Sequence, residues 1–482
     1  MQYRRFLTIL LLTSLLVTTG FRCTLFGGGN AQKEATRPIV LNYWRVFDGE
    51  DTMKDTIDAY KSIHQNVTIN YQKFTFEEYE QKLLDGFAED RGPDLFSIHN
   101  TWVDKYEGKI TPLPPVLTLG FPKVEGTLKK TITYQINKVP SLSLKEMKDT
   151  FVSTVYDDVV RGDPGKEHIQ GLPLSVDTLA LFYNQDMLNN AGIIEPPKTW
   201  ADFTQMVDTE RKPPLTIVHP DSPNDFIQSG AAIGTSRNIQ RAGDILAAVM
   251  LQNGTKMTEG NAVTFDKRLP TGQQEPGLTA LQFYTDFGFP SRTQYTWNED
   301  QPDSVESFAQ GRVAFFFGYS YHAELLKTKA PQLNYRITPI PLVDSRFPVT
   351  TANYWIETVS KKSKDSDYAW DFLTFATTGG KKVKTSKGEE FAYHVESFLE
   401  KTGRPTALRA LIPEQLRNER LAAFASQLLF AKNWYHGKNP ALAENAFDDM
   451  ITESLLVKGG DDELTKLGDL LRKSRDKIQA SY

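Results

Sequence analysis

The sequence predicts an α/β protein of two large lobes behind an N-terminal export segment. Three observations carry this expectation. The chain has 482 residues, more than one ordinary core organises. Strand-like and helix-like apolar patterns alternate along its first hundred residues, as in a mainly parallel sheet. A short apolar run follows paired arginines at the start. Hydrophobic residues make up 40% and charged residues 24%, the balance of a globular protein, and the formal net charge of −5 argues against nucleic-acid binding. Aromatic residues reach 11%, with 7 Trp and 19 Tyr, a stock that suits stacking on flat apolar ligand faces.

The export segment comes first. Arg4 and Arg5 precede the apolar run from Phe6 to Phe21. Roughly 16 residues of helix reach only about 24 Å, short of a bilayer core of about 30 Å. Residues 1–22 are therefore expected to be a signal peptide or a short signal anchor. Cys23 is the only cysteine, so no internal disulfide can form. It stands where a bacterial lipoprotein carries its lipidated cysteine, although Gly20-Phe21-Arg22 departs from the small residues of a lipobox. Lipidation at Cys23, an uncleaved anchor and plain secretion all remain open. Residues 23–37, with Gly27-Gly28-Gly29, read as a flexible tether in each case.

The folded part opens with a strand, Ile39 to Trp44, and a helix whose Met53, Ile57 and Tyr60 share one face. Val67–Tyr71 is a second strand. Thr75-Phe76-Glu77-Glu78 is a capping box opening a helix with Tyr79, Leu83 and Phe87 inward. Gly92-Pro93-Asp94 turns the chain into a third strand, Leu95–Ile98. Residues 109–147, rich in Pro, Lys and Thr, read as a surface excursion, and Lys381–Lys384 as a solvated loop. Strands are expected at Leu179–Asn184, Val313–Phe317 and Tyr354–Ile356. Thr199 with Asp202 marks a helix start, and a long helix over 238–253 stops at Gly254. Ala369, Phe372, Leu373 and Ala376 stripe another helix, and the C-terminal third reads as mostly helical.

Motifs for chemistry are largely missing. The seven histidines lack ligand spacing, and there is no H-E-x-x-H helix, no G-x-S-x-G elbow and no glycine-rich phosphate loop. No metal, cofactor or catalytic residue is expected. Two carboxylates about 5–9 Å apart can come from anywhere in a chain, so an exported carbohydrate-active enzyme stays open as an alternative.

Several segments, in order, resemble one family: the extracellular solute-binding proteins of ABC sugar importers, of the maltodextrin-binding type. Leu41-Asn42-Tyr43-Trp44 is similar to the family's opening strand, and Gly92-Pro93-Asp94-Leu95-Phe96 to its G-P-D-[IL] turn. Gly171 to Thr178 with Phe182-Tyr183-Asn184 resembles the crossover segment. Ala191-Gly192-Ile193 and Pro196-Pro197-Lys198-Thr199-Trp200 follow it. Phe308-Ala309-Gln310-Gly311-Arg312-Val313-Ala314-Phe315 fits F-x-x-G-[KR]-x-A-[MF], and Ser360–Lys364 with Ala369–Leu373 complete the series. Residues 109–149 and 379–396 look like additions.

The resemblance implies a two-lobe, periplasmic-binding-protein-like type II fold with an interlobe cleft and a hinge. Lobe 1 is expected over 38–175 with 350–410, and lobe 2 over 176–349 with 411–482. The implied function is capture of a sugar or oligosaccharide and delivery to the permease subunits of an ABC importer, by a monomer outside the cytoplasmic membrane and without catalysis. A surface receptor or adhesion module on the same fold is the other alternative. The implied ligand residues are Asp177 on the crossover and Asn100, Thr101 and Trp102 after a strand's C-terminal end, where α/β ligands lie. Tyr319, Tyr321, Trp355, Trp434 and Tyr435 are candidate stacking or edge aromatics. Trp44 with Arg45 ends the first strand, and Asn238 and Arg241 open a helix that faces the cleft in the family. Trp200 and Trp370 are expected to pack helices.

Overall fold

The computed structural model describes residues 36–125, 131–269, 275–385 and 388–482. The expected signal segment 1–22, Cys23 and the tether up to residue 35 lie outside the described residues. The chain divides into two compact units. Unit 1 takes the described parts of Met1–Phe96, Thr111–Ser143 and Thr358–Ser397. Unit 2 takes Ser97–Ile110, Leu144–Glu357 and Phe398–Tyr482.

In unit 1 the strand Ile39–Val46 lies parallel to Val67–Phe74 in register from Ile39 opposite Val67 to Val46 opposite Phe74. On its other side Tyr43 and Trp44 pair with Leu95 and Phe96. The helix Glu50–Ile63 buries Met53 and Tyr60, and Phe76–Ala88 buries Tyr79, Leu83 and Phe87 behind the expected Thr75–Glu78 capping box. Phe372, from the helix Ser366–Thr377, lies edge-on to Tyr43 and Tyr60. The Gly-Pro-Asp turn has a plain physical reason. Asp94 accepts hydrogen bonds from the Asn42 backbone N–H (2.9 Å) and from Ser363 Oγ (2.7 Å), locking the turn to the serine-lysine motif after Val359.

Two expectations change here. Residues 109–147 are not an excursion alone: Val116–Glu125 and Thr131–Pro140 form a long antiparallel hairpin. Its alternating Leu117 and Leu119 are buried, and the helix Ser366–Thr377 receives it. Thr118 N–H donates to Asp367 Oδ2 (2.9 Å) and Gly120 N–H to Tyr368 Oη (2.8 Å). Threonines and lysines on the open face hid this two-residue period. Lys381–Lys384 likewise belongs to a hairpin strand, Gly380–Thr385, whose Lys381 and Lys382 are exposed.

Unit 2 carries a mixed five-stranded sheet in the order Ile217–His219, Ser222–Ala232, Val313–Gly318, Ala180–Asn184, Tyr335–Pro339. The strand Val313–Gly318 is wholly buried. The segment before it explains its own motif: Phe308 enters the core 4.6 Å from Phe316, and Gly311 turns the chain with φ +68°. Trp200 is buried under Phe317 and donates from Nε1 to Gln252 (2.9 Å), and Thr199 caps its helix as expected. The helix expected over 238–253 is shorter, Ala242–Gln252, because the chain before it turns through Arg241 at φ 63°. Trp370, in unit 1, donates to the Thr111 carbonyl (3.0 Å).

The compact units also cut the chain elsewhere than at 175 and 410. Residues 144–175 join unit 2 because the helix Ser153–Val159 packs on the C-terminal segments. Val152 N–H donates to Ala407 O (3.0 Å), and Arg409 Nε to Phe151 O (2.7 Å).

The hairpin's burial is testable. Leu119→Ala is expected to cost about 2–5 kcal/mol of stability, the range for a fully buried leucine, measured by urea unfolding. An unchanged midpoint would mean that the hairpin is not part of the core.

Candidate functional site

Unit 2 holds a cavity of about 130 Å³ whose walls come from four stretches of chain. The helix Pro440–Val457 contributes Glu444, Phe447 and Asp448, spaced so that they share one face. The start of the helix Ala242–Gln252 contributes Arg241 and Asp244. Trp434 with Tyr435, and Thr101, supply the rest.

Trp434 is half-buried and lies stacked on Phe447, ring centroids 4.6 Å apart, leaving part of its surface to the cavity. Tyr435 is fixed behind it: its Oη is 2.8 Å from Ser481 Oγ and accepts from the Asn439 backbone N–H (2.9 Å). Arg241 Nε binds Asp244 (2.7 Å), and its Nη1 reaches Glu444 (3.4 Å). Tyr319, fully buried, donates to the same Asp244 oxygen (2.7 Å). Burial works against the Asp244 charge, but Arg241 and Tyr319 outweigh it and hold the carboxyl below its usual value. Glu444 keeps 53% of its side chain exposed, yet desolvation by the walls raises it despite Arg241. Asp448 is pushed up to about 6, first by desolvation and then by Glu444 one helical turn away.

A second network braces the cavity from behind. The buried Asp158 carboxylate accepts from Tyr354 Oη (2.6 Å), Asn433 Nδ2 (3.1 Å) and Asn100 Nδ2 (3.3 Å). Asn433 precedes Trp434, and Asn100 precedes Thr101. One carboxylate therefore positions two cavity walls. His99 is also buried, and its partners set its tautomer. Nε2–H donates to Asn353 Oδ1 (3.2 Å), and Nδ1 accepts from Thr101 Oγ1 (2.7 Å). Burial, reinforced by Arg241, holds its pKa down to about 4.

Of the thirteen expected ligand residues, the cavity brings together Thr101, Arg241, Trp434 and Tyr435. Tyr319 lies one hydrogen bond behind it through Asp244. Tyr321 is 42% exposed, its ring 4.0 Å from that of His322. Trp102 and Trp355 meet edge-to-face at 5.6 Å, beside His99. Asn100 is buried in the Asp158 network. Asp177 is occupied as a cap: Oδ2 accepts from Ser320 N–H (2.9 Å) and Oγ (2.6 Å) at the start of the helix Ser320–Lys329. Asn238 is fully engaged, donating to the carbonyls of Asn298 and Gln301 and accepting from Trp297 and Thr235. Trp44 and Arg45 belong to unit 1. Trp44 lies against Phe74 and so close to Gly86 that a Cβ there would come within 3.1 Å of its ring, and Arg45 is buried beside Asp48 (3.2 Å). The sequence reading missed Asp244, Glu444, Phe447 and Asp448. The helical spacing of the last three after Pro440 was the available signal.

The sequence profile of bacterial extracellular solute-binding proteins matches residues 55–388. This chain belongs to that family. A binding protein of Brucella abortus (strain 2308) is 20% identical over 335 residues, covering 69% of this solute-binding protein and 70% of the relative. Its fold is shared with solved solute-binding proteins, which bears out the α/β, two-lobe expectation. One is an ABC transporter solute-binding protein of Thermotoga lettingae, with TM-score 0.61 and 19% identity, covering 91% of this chain and 100% of that one. Another is the sugar-binding protein MalE of Xanthomonas citri, with TM-score 0.64 and 17% identity, covering 92% and 98%. A third is the GacH receptor of Streptomyces glaucescens, with TM-score 0.61 and 17% identity, covering 91% and 99%. Among the described residues no helix is long and apolar enough to cross a membrane.

Two outcomes follow from this geometry. Asp158→Ala removes the charged acceptor shared by Tyr354, Asn100 and Asn433, leaving them the carbonyls of Thr154 (3.5 Å), Ala352 (3.4 Å) and Tyr435 (3.1 Å). It is expected to cost about 1.5–3 kcal/mol, the worth of hydrogen bonding to a charged group, and to lower Tm in a thermal melt. Asp177, raised to about 6 by burial against the pull of Ser320, holds a proton in the folded state between its ordinary value and 6 that the unfolded chain has released. That contribution is present at low pH and is lost as pH rises through 6. Wild type should therefore gain stability relative to Asp177→Asn as pH is lowered from about 7.5 to about 5. A difference constant over that range would contradict the shift.

Proposed function

We propose that this solute-binding protein captures a sugar or oligosaccharide outside the cytoplasm and delivers it to the permease subunits of an ABC importer. The observation that carries this reading is the partly exposed Trp434 face, backed by Phe447 and ringed by Arg241, Asp244, Glu444 and Asp448. A pyranose presents C–H groups on its faces and hydroxyls at its edge. An aromatic platform covers the first, and carboxylates with a guanidinium serve the second. The relatives agree in kind: the Thermotoga lettingae protein was solved with α-D-tagatose, the GacH receptor with acarbose, and a cyclo/maltodextrin-binding protein with maltotetraose. These relatives are binding proteins, and the reading assigns this chain no bond-making step.

Thr101, Arg241, Trp434 and Tyr435 are the expected residues that best fit this role, joined by Asp244, Glu444 and Asp448. Tyr319 and Asn100 act behind the cavity by positioning. Attachment through a lipid on Cys23 belongs to the same proposal, supported by the apolar run and the tether in the sequence.

A panel of neutral, basic and acidic oligosaccharides should contain at least one that raises Tm and is recovered intact. Trp434→Ala should weaken that solute about tenfold, equivalent to ~1.4 kcal/mol, by titration calorimetry. Conversion of the sugar to product, or unchanged affinity in Trp434→Ala, would count against the reading. Cys23→Ser should move the protein from the membrane fraction to the soluble one. Retention in the membrane would favour an uncleaved anchor.

A further inference from the structure

The cavity's polar lining is unbalanced in charge. Asp244, Glu444 and Asp448 bring three carboxylates, and Arg241 is the one cation among the lining residues. Arg241 is already engaged, holding Asp244 at 2.7 Å and Glu444 at 3.4 Å. Among the described residues no group donates a hydrogen bond to the Asp448 carboxylate; only its backbone carbonyl is used, by Ser236 Oγ (3.1 Å). Glu444 and Asp448 are one helical turn apart on the same face, a like-charge pairing that disfavours the helix it sits on. The Arg241 bridge gives Glu444 a structural partner, whereas Asp448, exposed one turn further on beside the partly exposed ring of Trp434, has no such partner among the described residues.

The hydrogen-bonding inventory points the same way. Thr101 Oγ1 donates toward His99 and is left with lone pairs, and the carboxylates accept only. The donors of Arg241 that face Asp244 and Glu444 are used. A neutral hydroxyl both donates and accepts and carries no charge, so it leaves the surplus uncompensated. An ammonium donates three times, accepts nothing and neutralises one carboxylate. Placed over Trp434 it also gains the attraction of a cation for an aromatic face.

We propose that the solute of this cavity is an amino sugar or an oligosaccharide of amino sugars, its protonated amine set against Asp448 and Glu444 and its ring face on Trp434. This rests on the sugar-capture reading above and narrows it to one chemical class. Uronates and phosphorylated sugars are disfavoured by the same surplus of negative charge.

The groups facing Asp448 are Glu444 and Asp449 from its own helix, Arg241 and Asp244 from the neighbouring one, and Tyr284 from the helix Pro276–Asp286. With Asp448 titrating near 6, acidification through that value removes the negative partner and weakens capture of a cation.

The test is titration calorimetry on the full-chain protein near neutral pH with three probes: a glucosamine oligosaccharide, its N-acetylated counterpart and a galacturonate oligomer. The glucosamine oligosaccharide should bind at least about tenfold more tightly than the N-acetylated one, and the galacturonate should bind more weakly than either. That preference ratio should fall toward one in Asp448→Asn, and also on lowering the pH to about 5. Glu444→Gln serves as the second variant should Asp448→Asn fail to fold. Equal affinity for the amine and its acetylated form, or a ratio unchanged in both variants, overturns this inference and leaves sugar capture standing. If no sugar of any charge binds, it is the sugar reading that fails.

Discussion

Asp158 is buried, its carboxylate is held by three neutral donors with His436 Nε2 3.9 Å away, and those donors come from three separate stretches of chain. A buried carboxylate without its donors is costly, so each donor must be in place for unit 2 to be stable. Two of those donors, Asn100 and Asn433, adjoin Thr101 and Trp434. The positions of two cavity walls are thus tied to a core requirement as well as to the wall residues' own contacts with Phe447 and His99. Asn433 extends the constraint, because its Oδ1 also accepts from Tyr435 N–H (3.1 Å).

The opposite wall is organised by Arg241. Its positive φ is unusual for a residue with a side chain, and it stands as the N-cap of the helix Ala242–Gln252. The guanidinium then bridges Asp244 on that helix and Glu444 on Pro440–Val457. Tyr319 ties Asp244 in turn to the end of the central strand. Arg241, Asp244 and Glu444 are therefore already shared among three elements before any solute arrives. Binding does not have to order them, and the entropy usually lost in immobilising side chains is small at this site.

Much of the fold was legible in the sequence because local rules and tertiary packing agree there. Thr75 and Thr199 cap the helices their spacing announced, and Gly311 turns where its motif demands it. The Val116–Pro140 hairpin was illegible because its buried Leu117 and Leu119 are interleaved with exposed Thr118 and followed by glycine and proline, a composition that resembles a loop. The site was half legible for a related reason. Trp434, Arg241 and Thr101 carry chemistry conspicuous in one dimension. Asp177 and Asn238 carry it too, yet spend it on Ser320 and on the 297–301 loop, and nothing in their neighbours' sequence tells the two uses apart. Asp158 and Glu444 look like ordinary helix-surface acids until distant segments converge on them.

The two buried imidazoles of unit 2 have a consequence for where the protein works. His99 is held down to about 4 and His322 to about 3 by burial, and each offers Nδ1 as an acceptor, His99 to Thr101 and His322 to Tyr319 N–H. A protein of an extracellular family meets surroundings that no cell buffers. His99 and His322, of the side-chain type ordinarily first to change charge in mild acid, stay uncharged through that range. Sensitivity to acidification passes instead to carboxylates, one inside the scaffold at Asp177 and one at the solute cavity at Asp448. A mild fall in external pH would thus tighten the frame and alter what it holds, without either of these two buried imidazoles taking part.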